Sequence, residues 1–106
     1  MIDQATIDKA AGMLLAAAPP GSKVILFGSH ARGSAGADSD LDFLVVEPEV
    51  KQPFQEMVRL RKALRPLLVA ADILVATFQE FDYWKDTPST VYYDASHEGR
   101  VYEKAA

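Results

Sequence analysis

Three short apolar runs, VILF, FLVV and ILVA, alternate along the chain with longer segments whose apolar residues recur at helical spacing. The first periodic segment predicts a helix over residues 3 to 18, with Ile7, Ala11, Leu14, Leu15 and Ala18 in one stripe. Asp3 is placed to cap it, with Ile2 and Ile7 at the two positions of a hydrophobic staple, and Pro19, Pro20 and Gly21 end it. Lys23 to Phe27 reads as a buried strand broken by Gly28, after which Ser29 is set to cap a short helix running toward Gly33. Leu41 to Val46 is a second strand, closed by Pro48. A helix from Pro53 to Leu64 follows, expected to bury Phe54, Met57, Leu60 and Leu64 and to stop before Pro66. Asp72 to Ala76 is a third strand. One or two short helices, around 78–85 and 88–97, are divided by Pro88, and Gly99 turns the chain into a last short strand, Arg100 to Glu103. The expectation is a single α/β domain over residues 1–106, with a small mixed sheet of three to four strands and helices against one face.

Composition narrows the function more than the fold. The chain has 106 residues, a formal net charge of −4 and no cysteine, which leaves no disulfide framework and no thiolate metal site. No apolar stretch approaches the ~20 residues of a membrane-spanning helix, and the first residues lack the basic start of a secretory signal, so a cytoplasmic protein is expected. The densest basic stretch, Arg59, Arg61, Lys62 and Arg65, reads as one solvated helix face. Broad nucleic-acid binding is therefore not expected, because that needs clustered Lys and Arg. An anionic small ligand stays open if a cation supplies positive charge.

The informative stretch is GSHARGSAGADSDLD, residues 28 to 42, between the first two strands. Alternate strand residues share a face, so Asp40 and Asp42 point together with Cα atoms about 6.6 Å apart at ~3.3 Å per residue. Side by side they would repel, and a hard divalent cation such as Mg²⁺ relieves that repulsion. Gly28 allows close approach to the backbone, Ser29 offers a hydroxyl and helix N–H groups, and Arg32 sits one turn on, in reach of a phosphate oxygen. Anion donors and metal-binding acids thus flank one loop, as a metal–triphosphate complex requires.

Gly28-Ser29, ten intervening residues, then Asp40-x-Asp42 resembles the signature of the DNA polymerase beta-type nucleotidyltransferases. The fuller string GSHARG…SDLDFLVV is similar to their minimal stand-alone form, the MNT-domain proteins, and EGRVYE resembles the usual ending of these. The resemblance implies a polymerase-beta-like fold and transfer of AMP from ATP to a hydroxyl. It implies two Mg²⁺ ions held by Asp40, Asp42 and Asp72, the last opening the strand in AADILVAT. Gly28, Ser29, Arg32, Gly33 and Ser39 form the implied nucleotide-binding set. It further implies a HEPN-domain toxin as partner, a tyrosine of which is adenylylated, so that nucleic acid is met only through the partner. A homo-oligomer is left open.

Other readings compete. DSDLDFLVVEPE, from Asp38 to Glu49, places acids as a calcium loop would, but Phe43 stands where such a loop needs Gly. There is no Gly-Lys-Ser/Thr for a P-loop. A catalytically silent module that neutralises a partner by contact remains, as does an aminoglycoside-type transferase, although the latter enclose their substrate with a further domain. His30 and His97 read as ordinary surface residues. Tyr83, Trp84, Tyr92, Tyr93 and Tyr102 read as core or interface rather than a base-stacking platform.

Overall fold

A computed structural model describes residues 2–104. Its elements follow the order α1 (Gln4–Ala17), β1 (Lys23–Phe27), α2 (Ser29–Arg32), β2 (Leu41–Glu47), α3 (Pro53–Ala63), a 3₁₀ turn (Arg65–Leu67), β3 (Ala71–Thr77), α4 (Phe78–Trp84), α5 (Val91–Glu98) and β4 (Arg100–Glu103). Local chemistry sets their starts. Asp3 accepts a 2.8 Å hydrogen bond from the Thr6 N–H to open α1. Thr77 and Glu80 form a reciprocal capping box at α4, and Thr90 Oγ1 accepts from the Tyr93 N–H at α5.

The strands form one mixed sheet in the order β3-β2-β1-β4. β1 is antiparallel to both its neighbours, whereas β2 and β3 are parallel and joined by the α3 crossover. Leu41, Phe43 and Val45 pack into a core with Ile7, Leu14 and Leu60 from α1 and α3. Leu44 and Val46, on the opposite face of β2, pack with Ile25, Phe27 and Ala76 under Phe81 of α4 and Tyr92 and Ala95 of α5. The helices therefore cover both faces of the sheet, not one. A strand buried on both sides reads as a continuous apolar run, which is why FLVV shows no alternation.

Two side-chain expectations for α3 need correcting. Phe54 is 73% exposed and Met57 only half-buried; within the helix Leu60 alone is fully buried, with Leu64 buried just beyond it. Helical spacing alone does not say where a stripe begins, and Phe54 lies in the exposed first turn. Pro66 ends the α-helix as expected, but the chain continues through the 3₁₀ turn, where Pro near the start is tolerated.

Candidate active site

The parallel register of β2 and β3 sets Asp42 directly beside Asp72. Neighbouring strands lie about 4.7–4.9 Å apart, and in-register residues of parallel strands share a face. Asp42 is also opposite Phe27, the residue before Gly28. The end of β1, the start of β2 and the start of β3 thus meet at one end of the sheet. Asp42 is half-buried, while Asp40, one residue before β2, and Asp72 are exposed.

Electrostatics registers the crowding. Burial raises the Asp42 carboxyl above its ordinary value, and the charges of Asp72 and Asp40 raise it further, while His30 and Arg32 act in the opposite direction. The donors here are oxygen alone, which suits a hard cation such as Mg²⁺. Among the described residues no three His, Cys, Asp or Glu side chains are drawn together closely enough to hold an ion as arranged. What fits a hard cation is the donor type, carboxylate oxygen, and Asp40, Asp42 and Asp72 are the residues that would hold it.

Gly28 is packed against this carboxylate. A Cβ at position 28 would collide with Asp42 Oδ2 and lie 3.1 Å from its Cγ. Its backbone, with φ 77° and ψ −157°, also occupies a region essentially reserved for glycine. Gly28, not Ser29, is the N-cap of α2, and Ser29 is the first helical residue. No side chain caps the helix, so the Ser29 hydroxyl is not used as a cap. With four residues α2 has little summed dipole, and anion contacts there rest on individual N–H groups. Gly33 closes α2 in the left-handed conformation at φ 77°.

The remaining candidates have structural duties. Arg32 Nη1 is 3.3 Å from Glu98 Oε2 of α5, in an exposed ion pair. Ser39 Oγ accepts from the Gly36 N–H at 2.9 Å and so closes a turn within the loop. His30, expected as an ordinary surface residue, stands 3.0 Å from the Ser39 carbonyl and close enough to Asp42 to influence its charge. The sequence carries no signal for that contact or for the Glu98 partner, because both join segments brought together by folding. His97 stacks on Tyr93 with ring centroids 4.0 Å apart and stays peripheral.

A three-stranded sheet end that gathers a Gly-Ser turn and strand-borne acids defines a nucleotidyl-transfer type of scaffold. The chain matches the nucleotidyltransferase domain family over residues 7–96, and belongs to it. The resemblance drawn from GSHARG…SDLDFLVV is thereby borne out. Among solved structures, one described as a toxin–antitoxin with AMP-PNP superposes with a TM-score of 0.63 at 20% identity, covering 97% of this chain and 75% of that one. A candidate nucleotidyltransferase from Sulfolobus solfataricus superposes with a TM-score of 0.52 at 27% identity, covering 80% of this chain and 85% of that one. No curated protein matches the sequence significantly. Among the described residues no helix is long and apolar enough to cross a membrane.

Proposed function

We propose that the chain is a Mg²⁺-dependent transferase that moves AMP from ATP onto a hydroxyl, and that the acceptor is a tyrosine of a small helical HEPN-domain toxin. It would then act as an antitoxin by modifying its partner. The observation that carries this reading is the register pairing of Asp42 with Asp72 beside Gly28. Two Mg²⁺ ions bound by Asp40, Asp42 and Asp72 would supply neutralising charge to the triphosphate. The Gly28 backbone, the Ser29 hydroxyl and Arg32 would hold its β and γ phosphates, with Gly33 and Ser39 shaping the loop around them. The acceptor oxygen bonds to the α-phosphorus as the bond to the bridging oxygen breaks, releasing pyrophosphate. Asp72, exposed at the mouth of the site, takes the hydroxyl proton. Positioning and charge neutralisation supply most of the rate.

Several features support a protein acceptor. Asp40 and Asp72 are exposed at the end of the sheet, so an acceptor could approach them from solvent. A net charge of −4 suits a basic partner. Tyr83 and Trp84 are 75% and 42% exposed on α4, edge to face with centroids 4.9 Å apart, a surface suited to an interface.

Labelled ATP and Mg²⁺, incubated with the chain and its co-purified partner, should leave AMP-sized additions on a partner tyrosine by mass spectrometry. Asp40→Asn or Asp42→Asn should abolish them. A second reading, a silent module acting by contact, is favoured by the engagement of Arg32 with Glu98. A partner that is neutralised without any modification would establish that reading instead.

A further inference from the structure

Residues 34–40 form neither helix nor strand, yet this segment delivers Asp40 to the sheet end. Its internal bonds shape a turn: the Gly36 N–H donates to Ser39 Oγ at 2.9 Å, and the Ser39 N–H to the Gly36 carbonyl at 3.2 Å. Near its start, the Ser34 N–H donates to the Ser29 carbonyl at 3.0 Å. Near its end, two contacts bracket Asp40. On one side the Leu41 N–H donates to the Ala70 carbonyl at 3.0 Å, tying the strand entrance to the segment before β3. On the other side His30 Nε2 reaches the Ser39 carbonyl at 3.0 Å across nine residues of sequence. A carbonyl can only accept, so Nε2 must carry the hydrogen.

His30 directly follows Ser29 on α2. The same helical turn that presents the Ser29 hydroxyl therefore grips the residue before Asp40. The two halves of the site, the Gly-Ser turn and the acid-bearing strand, are joined by one imidazole. Resting on the nucleotidyl-transfer reading, we propose that His30 is a positioning residue: through the Ser39 carbonyl it sets the backbone from which Asp40 projects, and so the readiness of the acids to take a cation. Loss of this bond frees one flank of Asp40 while Ala70 still holds the other. The effect should fall on cation affinity, as it does when groups that orient metal ligands are removed.

Three variants separate the hydrogen bond from mere packing. The Gln side-chain amide reaches the position of imidazole Nε2, the shorter Asn amide stops near Nδ1, and Ala reaches neither. Amide hydrogen exchange at Gly36 and Ser39 should accelerate in His30→Ala and His30→Asn and return toward wild type in His30→Gln. Direct Mn²⁺ binding, read by water-proton relaxation without substrate, should weaken about tenfold in the first two variants and be largely restored in His30→Gln. Unchanged exchange and affinity in His30→Ala overturn the proposal, as does a Gln variant no better than Asn. If the wild-type chain takes up no Mn²⁺ at all, the metal-dependent reading fails, and the exchange series still decides whether His30 holds the loop.

Discussion

Gly28 and Asp42 constrain each other. The glycine backbone lies where other residues are strained, and the space a side chain would fill holds the Asp42 carboxylate. Gly28→Ala should therefore lower the unfolding free energy by about 1–3 kcal/mol, read by urea denaturation, from the backbone strain alone. Asp42 itself is destabilising without a cation. Its carboxyl titrates higher in the folded chain than in the unfolded one, so above the folded value the native state carries a charge that it resists. In chelator-treated protein Asp42→Asn should raise Tm at pH 7, and the gain should vanish as pH falls below both values. The same variant should lower turnover by at least about 100-fold, because it removes a carboxylate proposed to hold the metal. Opposite signs for stability and activity would mark a functional carboxylate rather than a strand end. At this scale the sequence is most legible: residue type and spacing mark out Gly28, Asp40 and Asp42, and the fold brings the three together. The capping role read for Ser29 is not kept, because a one-residue shift in where α2 begins gives that place to Gly28.

Among the elements, β2 carries acids at both ends in opposite circumstances. Its last residue, Glu47, is 1% exposed beneath α3, and one carboxyl oxygen has no hydrogen-bond partner. Arg59 gives its two 2.7 Å bonds to Glu56 and acts on Glu47 only through its charge, which opposes the rise. Burial first, then the hydrogen bond and charge of Glu56, push Glu47 up to about 8. Unfolded, the group would lose its proton near 4.5. Between those values the native chain holds a proton that the unfolded chain does not, so stability should fall as pH rises from about 4.5 to about 8. Glu47→Gln should flatten that slope, and its urea midpoint should exceed wild type at pH 8 by more than at pH 5. Nothing in the VVEPE stretch announced a buried acid, since a charged residue at a strand end usually faces water. The elements themselves were legible, because turn residues punctuate every boundary; which sheet face each helix covers was not, because that depends on strand order.

Across the whole molecule, α4 packs on the same sheet face as Asp42 and Asp72, toward the end marked by Lys23 and Val46, and under the proposed function its exposed Tyr83 and Trp84 would meet the partner there. Tyr83→Ala should weaken capture of the co-purified partner at least about tenfold, measured by titration calorimetry, while leaving Mn²⁺ binding unchanged. The third acid shows best what a sequence cannot disclose. Asp72 was singled out as a strand-opening acid, but its match with Asp42 is fixed by the length of the α3 crossover and the register it permits. The crossover has a temporal consequence as well. β1 and β2 form an antiparallel pair joined by a 13-residue connection, Gly28 to Asp40, whereas Asp42 and Asp72 meet only after the intervening chain closes a longer loop. Non-local parallel pairings of this kind form slowly. During synthesis the Gly-Ser turn and the first two acids emerge together, and the third arrives only when β3 docks. Mutual repulsion of the carboxylates then opposes the closing step of folding, so a divalent cation would speed completion of the sheet as well as occupy it.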